Sequence, residues 1–362
     1  NMQRPANMKI LFSLLLLSAA IVVIVGQKEN ILTSIMLRGA EIQMGRNQID
    51  DLEDGLHVSL CGAGGPMPAP KASGPCVVII AGAKQFVIDA GTNGARNLAR
   101  MGYPLGKIDA VFLTHFHSDH IDGLGEMATL RWVSAANSSP LQVFGPDGVE
   151  AVVSGFNEAY AASAVHRNEH HGDGVAPMSG RGMIAKPFRA PPIGEAVGVF
   201  RDDNTLLEAI RVDHGVVSPA IGYRIRYKDR SALITGDSNK STNIIHFADG
   251  IDLLIHDALA PNLVNLMNKA AQKIGNHGMS KITVDILDYH ASPVGAAETA
   301  REAGVGHLLL YHIVPPLILP GQSSLFMDGA ETIFPEITVG QDGTSFSMPS
   351  GTKEINLTRD EL

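Results

Sequence analysis

The stretch Val111-Phe-Leu-Thr-His115-Phe-His117-Ser-Asp119-His120 decides how this chain is read. Val111-Phe-Leu-Thr is a short, β-prone apolar run, and ligand-type side chains follow it at once. In an extended segment alternate side chains share a face, so His115 and His117 can grip one ion. A helix would turn them about 200° apart, so the spacing calls for strand-to-loop geometry. Asp119 and His120 fall on the turn that follows and can serve a second ion. Three His and one Asp within six residues, just after an apolar strand, rarely arise from packing alone.

Composition narrows the chemistry. The 362 residues hold 14 His but 2 Cys, which excludes a disulfide-dense scaffold, a four-cysteine zinc site and a cysteine-ligated cluster. Any metal site must rest on imidazole and carboxylate. With 28 Lys and Arg against 37 Asp and Glu, the net charge is −9, which argues against a general nucleic-acid binder. At 45% hydrophobic and 18% charged residues, the chain is neither disordered nor a polytopic membrane protein.

The uncharged run Ile10–Val25 follows Arg4 and Lys9 and reads as a signal peptide or short N-terminal anchor over residues 1–27. Export to a periplasm or beyond the cell is therefore expected, with membrane association only through that segment. One domain is expected over 38–348, with a C-terminal tail over 349–362 and homodimer formation left open. Export would permit a structural disulfide between Cys61 and Cys76.

Strands are expected at Leu56–Leu60, Cys76–Ile80, Gln85–Ile88, Val111–Thr114, Glu208–Asp213, Ala220–Tyr227, Ala232–Thr235, Leu253–Ile255 and Leu308–Tyr311. Helices are expected at Thr92–Met101, Val149–Ala164 and Val294–Ala303. The His-, Gly- and Pro-rich stretch from His166 to Pro192 reads as a long loop or lid. Strands early and late, with helices after each group, predict a layered α/β domain. His214, Asp237 and His312 each follow a β-rich run, where ligands meet α/β sheets. Trp132 and Phe116 read by default as packing residues.

On these residues the chain resembles the metallo-β-lactamase superfamily, whose HxHxDH signature is matched at 115–120. Gly62-Ala-Gly-Gly-Pro-Met-Pro resembles that family's early glycine loop, and Asp89 its structural aspartate. The resemblance implies a four-layer αβ/βα sandwich with two zinc ions, or other divalent metals, at the sheet edges. His115, His117 and His214 would hold one ion, Asp119, His120 and His312 the second, and Asp237 would bridge them. A bridging aspartate in this place argues against the true β-lactamases. The complete ligand set argues against a non-catalytic zinc-binding protein.

Within the superfamily the chain looks closest to the branch of ribonuclease Z and the zinc-dependent arylsulfatases. Asp213-His-Gly-Val-Val-Ser-Pro-Ala-Ile-Gly-Tyr and Leu254-Ile-His256-Asp257-Ala258 resemble that branch's motifs, and His290 falls where it often carries a His-Ser/Thr element. Only 22 residues separate His214 from Asp237, too few for the tRNA-gripping arm of ribonuclease Z. The expectation is therefore an arylsulfatase that cleaves a small anionic sulfate ester with a hydroxide held by the zinc pair. A ribonuclease Z-like phosphodiesterase or a lactonase is the alternative. Asp119 would orient or deprotonate the water, His256 or His290 would act as general acid, and Arg167, His170 and His171 would bind the outer oxygens or cap the site.

Overall fold

A computed structural model describes residues 28–362, so the leader expected over 1–27 lies outside the described residues. The described residues divide into two units, 28–47 and 48–362. In the first, residues 28–45 form a helix whose side chains are almost all exposed. Among the described residues, no helix is long and apolar enough to cross a membrane.

The second unit is built on two sheets. Its strands run β1 (Gly55–Gly62), β2 (Cys76–Ala81), β3 (Lys84–Ile88), β4 (Ile108–Phe112), β5 (Leu141–Pro146) and β6 (Met183–Phe188). There follow β7 (Ala196–Arg201), β8 (Thr205–Arg211), β9 (Ile221–Tyr227), β10 (Arg230–Ile234), β11 (Leu253–Leu259), β12 (His307–Val314) and β13 (Ile337–Val339). The chain closes with β14 (Thr344–Pro349) and β15 (Asn356–Arg359). One sheet has the order β15-β14-β1-β2-β3-β4-β5-β6, and the other β13-β12-β11-β10-β9-β8-β7.

Alternation along the strands sorts the apolar residues into three layers. Val58, Ile79, Phe86 and Phe112 of the first sheet meet Leu207, Tyr223, Ile234 and Ile255 of the second in a shared core. On the first sheet's other face, Val78, Ile80, Val87 and Val111 pack under Leu98, Leu124 and Met127 of the helices Gly94–Met101 and Leu124–Ser134. On the second sheet's other face, Leu233, Leu254 and Leu308 pack under Ile244, Ala296 and Ala300. Strands covered on both faces read as unbroken hydrophobic runs, which is why Cys76-Val-Val-Ile-Ile-Ala is buried throughout. The result is the expected four-layer αβ/βα sandwich.

Three segments differ from the sequence reading. Half of the expected loop over His166–Pro192 is regular structure: the helix Ala161–His171 runs into it, and β6 pairs parallel with β5. That helix buries no residue, so it carries no apolar stripe to betray it. Pro187 is tolerated because β6 is an edge strand. The expected tail over 349–362 carries β15, antiparallel to β14, and the compact unit begins at residue 48 rather than 38. The disulfide Cys61–Cys76 is formed.

The C-terminal segment is fastened by a buried cation. Arg230, 1% exposed, donates from Nη1 to Thr352 O at 2.6 Å and from Nη2 to Glu354 O at 2.8 Å. Its Nη2 lies 3.2 Å from Asp252 Oδ1. Removing one member of such a pair strands the other charge, so Arg230→Ala should lower unfolding free energy by about 3 kcal/mol. Urea denaturation of the two proteins measures this; an unchanged midpoint would mean that the clamp carries no stability.

Candidate metal centre

A buried carboxylate organises the histidine motif from behind. Asp89 leaves the end of β3, 1% exposed and with φ 58°. Its Oδ1 accepts from the Thr114 amide and its Oδ2 from Thr114 Oγ1, each at 2.8 Å. Oδ2 also accepts from His120 Nδ1 at 2.8 Å, which leaves His120 Nε2 as a bare lone pair. Thr114 Oγ1, its proton given to Asp89, can accept from His115 Nδ1 at 3.0 Å. His214 Nδ1 donates to Tyr289 O at 2.9 Å. Three imidazoles thus have their tautomers set by a partner at Nδ1 and turn Nε2 inward. Thr114 and Tyr289 were missed from sequence; a main-chain carbonyl leaves no sequence signal.

The inward nitrogens converge on one carboxylate. Asp237 Oδ2 lies 3.2 Å from His312 Nε2, 3.3 Å from His120 Nε2, and 3.8 Å from both His115 Nε2 and His214 Nε2. His117 Nδ1 lies 2.9 Å from His115 Nε2 and 3.4 Å from His214 Nε2. Asp119 Oδ2 lies 3.3 Å from His312 Nε2 and 3.6 Å from His120 Nε2. His115, His117, His214 and Asp237 form one group whose donors lie within 4.8 Å of one another, and Asp119, His120 and His312 form another. All seven expected ligands are brought together.

This set fits two metal ions. Four ligands at zinc's ~2.0–2.1 Å stand about 3.3 Å apart on a tetrahedron, near the spacings found here. His120 Nε2 and Asp237 Oδ1 are buried with no hydrogen-bond partner, a cost that a cation would remove. The lone pairs of His115 and His214 both face His117 Nδ1, and one proton there cannot satisfy two acceptors. Burial pushes the pKa of His115 well below the ordinary value and lowers those of His117 and His214, so all three favour the neutral, ligating form. Burial opposes charge on His120 and His312 too, but Asp237 together with Asp89 raises the first, and Asp237 together with Asp119 raises the second. Burial also opposes charge on Asp237, which His312 and His120 nevertheless hold ionised.

His312 reaches the site through a bulge. On β11 and β12 the register steps from Asp257↔Tyr311 to Ala258↔Ile313, so His312 is the extra residue, with φ 46°. Such bulges re-aim a side chain beside a functional site. Gly65 makes room in front: a Cβ there would stand 2.8 Å from His312 Cε1. The early glycine loop therefore has a steric purpose that the sequence hinted at by composition alone.

The remaining expected residues divide. His290 Nδ1 donates to Asp257 Oδ2 at 2.8 Å, and its ring stacks 5.3 Å from that of His312. One donor each from His290, Asp237 and His312 lie within 4.8 Å of one another. His256 Nδ1 also approaches Asp257 Oδ1, at 2.9 Å, but His256 is 0% exposed and cannot touch a substrate. The general-acid role expected of it is withdrawn in favour of His290. Arg167, His170 and His171 are exposed on the helix Ala161–His171, and none of them joins the ion-holding groups among the described residues. Trp132 is buried and donates to Pro177 O, a packing role.

A layered sandwich with paired His and Asp groups at its strand ends is the architecture of a metal-dependent hydrolase. The sequence pattern described as the metallo-beta-lactamase superfamily matches residues 70–276, and the chain belongs to that superfamily. Ribonuclease Z of Mycobacterium sp. (strain KMS) is 32% identical over 289 residues, 79% of this chain and 94% of that protein. Ribonuclease Z of Mycobacterium bovis (strain BCG / Pasteur 1173P2) is 33% identical over 290 residues, covering 79% and 96%. Human tRNase Z, short form, superposes with a TM-score of 0.58 at 20% identity, covering 81% of this chain and 99% of that one. The fold protein YhfI of Bacillus subtilis gives 0.57 at 20%, with the same coverage. At that identity the two structures support the fold alone.

Protons compete with metal at imidazole, so the two groups should release zinc in order. His120 and His312, raised above the ordinary value, hold protons at higher pH than His115, His117 and His214. As pH falls from 8, the Asp119–His120–His312 group should lose zinc first, and the other only below the ordinary histidine value of ~6.5. Zinc titrations at stepped pH check this; simultaneous release, or the reverse order, would contradict it.

Proposed function

We propose that the chain is a metal-dependent phosphodiesterase of the ribonuclease Z kind. The observation that carries this reading is the Asp257–His290 pair, a buried carboxylate holding an imidazole beside the donor ring. An aryl sulfate leaves as a phenolate of pKa ~10 and needs little protonation. An RNA-type phosphodiester leaves as a far more basic alkoxide and needs a proton. A dedicated donor is a device for the second reaction. Burial opposes charge on Asp257, but His256 and His290 outweigh it and keep the carboxylate ionised. With Nδ1–H held on the ionised Asp257, the His290 ring can carry a second proton at Nε2, and as the imidazolium it would pass that proton to the leaving oxygen.

A zinc pair held by the seven donors would neutralise an anionic ester and make water near it more acidic, toward ~7. Asp119 stands at the edge of the ring, its side chain 13% exposed. Burial opposes its charge, yet His312 and His120 hold it ionised, so it can take a proton from the attacking water. His117, the one exposed donor of the seven, would be the first to meet an entering ester.

The relatives named above favour the nuclease over the expected sulfatase. The sulfatase expectation leaned on the short segment from His214 to Asp237, which β9 and β10 fill. The alignments span 94–96% of relatives called ribonuclease Z, so that spacing does little to set this chain apart from them. The net charge of −9 weighs on the surface, whereas attraction of the ester lies with the site.

Two assays test the reading. With bis-p-nitrophenyl phosphate, p-nitrophenyl sulfate and a lactone side by side, the phosphodiester should show the highest kcat/KM, and a faster sulfate would overturn the proposal. His290→Ala should lower kcat on a dinucleotide by about 10²-fold or more, and far less on the p-nitrophenyl ester with its good leaving group. Equal losses on both would remove the proton-donor role.

A further inference from the structure

The glycine loop that abuts His312 is held by a carboxylate far from the donor ring in sequence. Asp342 sits in the turn between β13 and β14, 30 residues beyond His312. Its Oδ1 accepts from the Ala63 amide and its Oδ2 from the Ser73 amide, both at 2.9 Å. Oδ2 also accepts from Asn97 Nδ2 at 2.9 Å. Asn97 Nδ2 in turn reaches Cys61 O at 2.8 Å and Ser73 Oγ at 2.9 Å. Two side chains from other elements therefore grip both ends of one loop.

That grip passes directly to the ligand. Ala63 O accepts from the Ile313 amide at 3.0 Å, and Gly64 bridges Ile313 in parallel. The amide beside His312 is thus tied to the residue whose own amide Asp342 holds. Gly65 then stands against the His312 ring, which occupies a left-handed backbone position that needs support from its surroundings.

We infer that Asp342 is a positioning residue for the metal centre, fixing His312 through the Ala63–Ser73 loop. It touches neither metal nor substrate. The inference rests on the metal centre but not on which ester is cleaved, so the test uses zinc alone. The disulfide Cys61–Cys76 closes the same loop just outside Ala63 and Ser73, so the loop's ends stay together when Asp342 is changed.

The test is competition of full-length chain with a chromophoric chelator for Zn2+, with thermal unfolding of the metal-free proteins alongside. The unsubstituted chain should bind two equivalents; one or none would overturn both the centre and this inference. Asp342→Asn, which keeps one acceptor oxygen, should weaken one equivalent by about 10-fold, and Asp342→Ala by more, toward 100-fold. The other equivalent should bind as before, with the metal-free protein still folding cooperatively. Gly65→Ala presses the same ring from the front and should weaken that same equivalent. Unchanged affinities would overturn the inference. So would equal weakening of both equivalents, or Asp342→Asn and Gly65→Ala acting on different ones.

Discussion

One carboxylate oxygen governs this molecule's working end. Asp237 Oδ2 lies within 3.8 Å of four imidazole nitrogens that come from two separate loops and a bulged strand. Asp237 is 2% exposed, and an ion so deep costs several kcal/mol unless its partners are in place. Everything nearby supplies those partners. The parallel strands β10, β11 and β12 deliver Asp237, Asp257 and His312 at the same end, and β4 of the other sheet delivers the histidine motif. The two sheets are joined at that point: the Ile221 amide donates to Thr114 O at 3.0 Å, and Tyr223 Oη to Leu113 O at 2.7 Å.

A second tier of groups turns this crowd of donors into a defined constellation. Asp89, Thr114 and Tyr289 O fix which nitrogen of His120, His115 and His214 faces inward, and the bulge at His312 sets the last ligand's direction. Chemistry then divides by position. The donors at the centre crowd together with lone pairs left unmet and suit a cation. On the proposed reading, Asp119 at the rim and His290 against Asp257 serve proton transfer. A base and an acid on separate side chains, both beside the ion-holding donors, are what hydrolysis of an ester with a poor leaving group requires.

Much of this was legible in the residues. The spacing of His115, His117, Asp119 and His120 excluded a helix and required a strand-to-loop transition, which the end of β4 and the short helix Ser118–Ile121 provide. His214, Asp237 and His312 were found because ligands gather after β-runs. The choice between His256 and His290 was not legible, because it depends on burial: both approach Asp257, but His256 is enclosed and only His290 stands beside the ring. Asp342 was invisible for a related reason, since its partners lie 245 to 279 positions away in the chain. The part of the helix Ala161–His171 beyond Ala164 escaped notice because the helix buries nothing and so carries no apolar stripe.

The centre as described requires one shared carboxylate to hold two ions side by side. X-ray absorption at the zinc edge of the metal-loaded full chain tests this directly, because a bridged pair scatters from one ion to the other. A zinc–zinc distance of about 3.5–4 Å is predicted, with nitrogen and oxygen as the nearest shell. A spectrum of isolated zinc, with no metal–metal vector at full loading, would contradict the role given to Asp237 and with it the centre as described.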